Sequence, residues 1–569
     1  VLDYTFADAD FADTGSADAG AEADQVWGRS LLAPLAPGAL TPFTGSLLTE
    51  VAARAWYLYY DRLGFNPTSR ARRVRSVAGR PYVNLSLSAL LDAENAGLEP
   101  PSFRLDGTVR PLLAWEKPGF FANIKLSRGA KKIEETYKDL QQELPAITEK
   151  AAAWHAHVSG LRWSQAEVLQ VMEEIERIGA AALLPYFAAR HGLETACRRL
   201  LHLLGARPAA ESTALIVRAL GEVASTIELD MAHRVQTLGE TGAAQQEVVA
   251  WLDVGDFADW EQTLPVGAFA DGVHAFMTSY GHRGLHEGEI AAPRWRETPT
   301  SLFAAIRACA HMAVAPAPLS ADSLSADSLS ANLLSADAQP LLAAIDGKAR
   351  KEAQQLVEQM RKLISLQSHG LHAFSFILAG TRRWALAAGH EAMTDHRITA
   401  LEDIFYYELE EVKEMMTGEW NVSDRSGIHA AAAARRGAWE NWRRIAPPAL
   451  IWGERAARLQ TTGLPAAGGA RTGTAVTVES ITIENGAVES AALPSDAVLV
   501  CEEPESALAA LLPAAAAFVA VQGSPLDPLC ACARSLGRPG VVATGSPFAT
   551  ISPSSRVTVD GNLGKATIL

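Results

Sequence analysis

The chain has 569 residues, 48% of them hydrophobic and 20% charged, a composition with room for about two to four ordinary globular domains. Its formal net charge of −15 excludes a nucleic-acid backbone as a natural partner, because that partner needs a basic face. No apolar stretch reaches the roughly 18 residues of a membrane span, and no basic-then-apolar leader opens the chain, so no membrane partner and a cytoplasmic location are expected.

In chain order, residues 1–24 hold seven acidic residues and no basic one, which predicts a flexible acidic tail. "PLAPGALTPFTG" (34–45) is too rich in Pro and Gly for a helix and reads as an ordered loop. Helical periodicity then dominates, with apolar residues at three- and four-residue intervals over 46–64, 130–160, 164–192, 348–389 and 430–446. Trp56, Tyr59, Tyr60, Phe405, Tyr406 and Tyr407 are expected as core packing, with some lining an apolar ligand cavity. "RSVAGRPYVNLSLS" (75–88) alternates like a hairpin, a small β element on a helical body. "LSADSLSADSLSANLLSADA" (319–338) is a short Ser/Ala/Asp repeat that cannot bury a face, so a disordered insertion is expected over about 315–340. "LPAAGGARTG" (464–473) reads as a flexible joint. Beyond it come short strands, "AVTVESITI", "AVLVCE", "FVAVQG", "PGVVATG", "RVTVDG" and "KATIL", separated in part by Ala-rich helices. The five cysteines (Cys197, Cys309, Cys501, Cys530, Cys532) are odd in number and not spaced as a zinc site; reduced thiols are expected.

Within the last strand-rich stretch, "VLVCEEP" (498–504), "ARSLGRPGVV" (533–542) and "VTVDGNLGKATIL" (557–569) resemble the swivelling phosphohistidine domain of the phosphoenolpyruvate-utilising enzymes. The helical body resembles the substrate-binding domain of their phosphoenolpyruvate synthase and rifampicin phosphotransferase-like branch. The pieces that carry this are "PGALTPFTGSLL" (37–48), "GRPYVNLS" (79–86), "SYGHRGLHEGEIAAPRWRE" (279–297), "LEDIFYYELEEV" (401–412) and "ARRGAWENWRRIAPPALI" (434–451). The resemblance implies a multidomain fold. A large, mostly α-helical substrate-binding domain over 25–460 leads through a linker at 461–473 to a small α/β swivelling domain over 474–569.

Two departures from the family pattern bear on function. The ATP-grasp nucleotide-binding domain that these enzymes ordinarily carry has no counterpart in these residues; it is absent, on another chain, or encoded ahead of Val1. The family's reactive loop carries Ser/Thr-His before a small-residue helix, and counting back from Ala533-Arg534 puts Asp527 and Pro528 at those two positions. No histidine follows His429, so no register slip supplies one. A phosphocarrier needs a neutral imidazole nitrogen that attacks phosphorus and later leaves it. Proline offers no nucleophile. This turn is a degenerate phosphohistidine loop.

The densest remaining chemistry is "YGHRGLHEGEIAAPRWRE" (280–297). His282 beside Glu287 forms an expected acid–base pair, since imidazole and carboxylate exchange protons near neutral pH. Tyr280, Arg283, His286, Glu289, Arg294 and Trp295 are expected substrate-binding groups; a buried ion-pair network holding the loop is the structural alternative for Arg283, Glu287 and Arg294. His282 and His286 have helical metal-pair spacing, but the intervening glycine and the lack of a third ligand leave no metal assigned, and no cofactor is assigned. His369 and His372 stand on a helix that, by the resemblance, carries basic residues facing the transferred phosphate, and they join the expected catalytic set.

These readings converge on a phosphoenolpyruvate synthase-like enzyme that has lost phosphotransfer. It would act by dehydration, cyclisation or condensation on a small to medium, partly apolar organic substrate, in natural product biosynthesis, with a biosynthetic protein as a further partner. Two alternatives stand beside it. One is a non-catalytic ligand-binding or scaffold subunit; the other is a phosphotransferase component that relies on a separate ATP-grasp and histidine-bearing partner.

Overall fold

A computed structural model describes residues 3–7, 25–67, 71–116, 118–161, 163–223, 225–313, 337–417, 425–453, 455–478 and 493–569. The chain forms two units. The first comprises Val1–His191, His286–Ala292 and His369–Gln460; the second comprises Gly192–Leu285, Pro293–Ser368 and Thr461–Leu569.

In the first unit the helices fall where the periodicity predicts them, with shifted ends: Pro42–Leu63, Phe120–Gly160, Gln165–Leu204, Arg350–Thr394 and Arg425–Arg443. Gln165–Leu204 and Arg350–Thr394 each continue into the second unit. The helix Pro42–Leu63 has proline in its first turn and stops at Gly64, whose left-handed backbone lets its N–H reach the Asp61 carbonyl at 2.9 Å. A further helix, Leu85–Ala96, is capped by Asn84, whose side chain accepts the Leu87 N–H at 2.9 Å. Phe43 anchors the helical core, stacking on Trp384 at 6.1 Å and meeting Phe405 edge-on at 6.2 Å.

The β content of this unit exceeds the single hairpin that the sequence predicts. That hairpin exists, as β3 (Val74–Val77) and β4 (Arg80–Asn84). It sits at one side of an eight-stranded sheet ordered β3-β4-β2-β7-β8-β1-β5-β6. The others are β1 (Asp3–Ala7), β2 (Val26–Gly28), β5 (Ser102–Leu105), β6 (Thr108–Pro111), β7 (Leu450–Trp452) and β8 (Arg455–Gln460). Strand β1 lies inside the segment expected as an acidic tail; it pairs antiparallel with β8 and parallel with β5. Tyr4 and Phe6 account for this, since Tyr4 is buried with Leu105 and Ala457 while Phe6 packs against that cluster. The rest of the expected tail (1–2 and 8–24) and most of the expected insertion (315–336) lie outside the described residues.

The second unit carries a seven-stranded sheet ordered β15-β14-β10-β11-β12-β13-β9. Its strands are β9 (Leu464–Ala467), β10 (Ala470–Thr477), β11 (Ala497–Cys501), β12 (Ala517–Ala520), β13 (Gly540–Val542), β14 (Arg556–Asp560) and β15 (Lys565–Ile568). Strands β10 to β13 are parallel, with antiparallel neighbours on both sides. Strands β11 and β12 are buried along their whole length, as covered parallel strands are. Residues 464–473, expected as a flexible joint, form β9 and the start of β10. An edge position tolerates Pro465, which has no N–H to donate. In the same unit the helix Ile227–Ala243 packs against Thr300–Ala313, against the short turns Ser506–Ala510 and Leu512–Ala514, and against the helix Pro528–Ser535.

Candidate functional site

The turn after β12 lies at the carboxyl end of parallel strands, where open α/β sheets gather their ligands. Gly523 opens it with φ of +98°, and a Cβ there would sit 2.3 Å from Pro504 Cδ, so only glycine fits. Asp527 ends it as the residue before the helix Pro528–Ser535, with Pro528 in the first helical turn. The Asp527 side chain is fully buried. Its carboxylate folds back over the turn and accepts the Ser524 N–H at 2.7 Å, while the Asp527 N–H donates to the Ser524 carbonyl at 3.0 Å. Cys530 lies one turn into the helix and donates its thiol to the same carbonyl at 3.4 Å. Burial, and then the Glu228 carboxylate, pushes the Cys532 thiol well above the ordinary thiol range. Arg534 closes the arrangement, donating to Pro525 O at 3.1 Å, Ala466 O at 3.0 Å and Gly221 O at 3.2 Å.

The segment 280–297 is a succession of turns after the helix Ala268–Tyr280, so His282 and His286 do not share a helix face. Tyr280, His282, Arg283, Arg294 and Trp295 belong to the second unit, and His286, Glu287 and Glu289 to the first. Tyr280 donates its hydroxyl to Asp230 and lies under Arg234, whose guanidinium is 5.5 Å from the ring centroid. Burial and the Asp230 carboxylate push the Tyr280 phenol upward, which keeps it protonated at neutral pH. Trp295 is a core residue, 5.7 Å from Phe276 and donating from Nε1 to Ser301 at 3.3 Å. His282, Arg283, Glu287 and Arg294 are all buried.

His286 is held at φ of +56°. Two residues on, Gly288 packs so closely that a Cβ would stand 1.4 Å from the Leu35 carbonyl oxygen. This close approach aims Glu289 at the start of the helix Pro42–Leu63. There its carboxylate accepts the Thr41 N–H at 2.7 Å, the Thr41 hydroxyl at 2.9 Å and the Thr44 hydroxyl at 2.5 Å. Glu289 therefore holds a helix N-terminus, where a negative charge is favoured.

His369 and His372 are half-buried and belong to the first unit. The His372 ring meets Phe376 at 5.0 Å, and Phe376 also meets His155 at 5.8 Å. The expected acid–base set is thus divided: His282 is in the second unit, and Glu287, His369 and His372 are in the first.

Two buried polar clusters escaped the sequence reading. In the second unit Glu228, with no exposed surface, accepts the Ser368 hydroxyl at 2.5 Å and also the Ser506 hydroxyl. Arg283 donates to that same Ser506 oxygen at 2.8 Å. In the first unit His191 sits between the Asp92 carboxylate, 2.8 Å from Nε2, and the Tyr59 and Tyr137 hydroxyls, 2.9 and 3.2 Å from Nδ1. Tyr60 donates to the other Asp92 oxygen at 3.2 Å. Burial pushes the Tyr59, Tyr60 and Tyr137 phenols above their ordinary range, so they stay neutral donors. A charged or imidazole side chain on an otherwise apolar helix stripe is the signal that would have found Asp92 and His191. Glu228 carried no such mark, because an acidic residue in a first helical turn is ordinary.

Two family models match the chain. The rifampicin phosphotransferase fourth domain matches residues 179–368, and the mobile domain of PEP-utilising enzymes matches residues 493–564. No curated protein matches. The first match encloses Tyr280 to Trp295 and Glu228; the second encloses the turn closed by Asp527. Over these two stretches, in this order along it, the chain is similar to the PEP-utilising enzymes.

Proposed function

We propose that this chain is a phosphoenolpyruvate synthase-like enzyme that no longer transfers phosphate and instead performs acid–base chemistry on a small to medium, partly apolar organic substrate. The observation that carries the proposal is the state of Asp527. The resemblance puts a phosphorylatable histidine next to this position. Here the neighbour is Pro528, and Asp527 itself is buried with its carboxylate committed to the Ser524 N–H. A carboxylate in that role is a structural acceptor, and proline has no atom that could attack phosphorus. Glu228 adds to this reading, because it places a second buried carboxylate near the helix that follows the turn. A phosphoryl group carrying close to two negative charges would meet like charge there.

On this reading His282 moves the substrate's protons. Tyr280, Arg283 and Arg294, in the same unit, hold it. The reaction is a dehydration, cyclisation or condensation in a biosynthetic pathway. All five cysteines are free thiols, which suits the reducing cytosol.

Intact-mass spectrometry after incubation with ATP, and separately with phosphoenolpyruvate, tests the central claim. The expected result is no covalent phosphoryl adduct; a stoichiometric adduct overturns it. For the acid–base assignment, His282→Ala is expected to lower product formation in a pathway-bearing host by about a hundredfold. Unchanged product with unchanged protein abundance removes His282 from the mechanism.

A further inference from the structure

In the first unit four helices bring an imidazole, three phenols and a carboxylate to one place in the core. Tyr59 and Tyr60 come from the helix Pro42–Leu63, Asp92 from Leu85–Ala96, Tyr137 from Phe120–Gly160 and His191 from Gln165–Leu204. Tyr59 Oη, Tyr137 Oη and His191 Nδ1 form a triangle with edges of 2.9, 3.2 and 3.3 Å. Asp92 stands outside it, 2.8 Å from the other ring nitrogen. A core gains little from such a concentration, because buried polar groups at best break even when all of them are paired. Here one is not. Thr136 lies beside Tyr137 on the buried stripe of Ile133, Thr136, Tyr137 and Leu140; it has no exposed surface, and its hydroxyl makes no hydrogen bond among the described residues.

The triangle has the dimensions of a metal-binding face. Around an octahedral ion with bonds of about 2.1 Å, neighbouring donors stand about 3.0 Å apart. Donors drawn from facing helices are also how bundle cores hold metals. We propose that Tyr59, Tyr137 and His191 are the ligands of a ferric ion, with Asp92 as the carboxylate that orients the imidazole. Phenolate is a hard, anionic oxygen donor, and two of them beside an imidazole suit a trivalent ion. Two phenolates and the Asp92 carboxylate cancel the three charges of that ion, so the loaded core carries no net charge. Each phenol gives up its proton as its oxygen bonds the ion; one Fe3+ enters and two protons leave. The imidazole binds through Nδ1 in its neutral form and directs its Nε2–H at Asp92, as metal-bound histidines commonly do toward a carboxylate. Without the ion, burial keeps both phenols protonated, and the cluster is the hydrogen-bonded one described above. The site does not depend on the chemistry assigned to His282, which belongs to the other unit.

Titrating the full chain with ferric nitrilotriacetate at neutral pH, followed by visible absorbance, tests this. The expected result is a tyrosinate-to-iron charge-transfer band that saturates at one iron per chain. Tyr59→Phe/Tyr137→Phe should lack the band, and Tyr60→Phe should keep it, because it removes a phenol outside the triangle. Asp92→Asn is expected to keep the band while weakening iron binding about 10–100-fold. A wild-type chain with intact helical circular dichroism and no band overturns the proposal, and so does a band of wild-type intensity in the double variant. A phosphoryl adduct in the mass measurement would remove the proposed function and leave this spectrum as it is.

Discussion

Gly288 shows how little freedom single positions have around the candidate site. A methyl group there would overlap the Leu35 carbonyl, and a rigid backbone oxygen cannot rotate away. Gly288→Ala is expected to destabilise the fold by at least about 3 kcal/mol, read from the denaturant midpoint. Asp527 is the counterpart in the C-terminal turn. Asp527→Ala leaves the half-buried Ser524 N–H without its acceptor and should cost about 1–3 kcal/mol, whereas Asp527→Asn keeps an acceptor oxygen and should cost less. If the two variants unfold together at wild-type denaturant concentration, Asp527 does not hold the turn. At this scale the sequence marked 280–297 by its density of charge and glycine, and His282, Arg283, Glu287 and Arg294 there are buried. It was a poor guide to their partners. Ser506 is more than two hundred positions from Arg283, and no local pattern announces their bond.

Whole helices depend on single distant side chains. Glu289 accepts from the backbone and hydroxyl groups that begin Pro42–Leu63, so Glu289→Ala should cost about 1–2 kcal/mol, and Glu289→Gln should recover part of it. Thermal unfolding of the two variants checks this order. The Asp92–His191–tyrosine cluster ties four helices together, and its phenols carry a pH consequence. Burial raises the Tyr59, Tyr60 and Tyr137 phenols above the ordinary value of 10.0. Above that pH the unfolded chain therefore holds fewer protons than the folded one, and stability falls as pH rises; below it the contribution is complete. Cooperative alkaline unfolding is expected, with phenolate absorbance from these residues appearing together with the loss of helical circular dichroism. Titration of the buried tyrosines in a fully helical protein would mean that the cluster is open to solvent.

At the scale of the molecule, the division into two units does not follow the chain. The stretches 286–292 and 369–460 join the N-terminal part, and 461–569 joins 192–285 and 293–368. The segment with the densest chemistry, 280–297, crosses that division twice within a few residues. The eight-stranded sheet makes the same point. It collects β1, β2, the β3–β4 and β5–β6 hairpins, and the β7–β8 pair from opposite ends of the chain, so only one of its hairpins stood out in the sequence.

Local chemistry determined the long helices, the buried parallel strands β11 and β12, the hairpin at Val74–Asn84 and the family resemblance. Each rests on spacing within one segment, and a 3.6- or 2-residue period leaves its mark without help from the rest of the fold. The Asp527-Pro528 turn was legible for the same reason: a proline cannot be a phosphocarrier in any tertiary setting. Only the tertiary structure decided that Asp527 is buried as a turn acceptor, that Glu228 and Asp92 are buried carboxylates with partners, that residues 464–473 are strands, and that the helix Pro528–Ser535 packs with the helix Ile227–Ala243. These outcomes are set by contacts between segments distant in sequence, where burial and pairing override what each short stretch prefers alone.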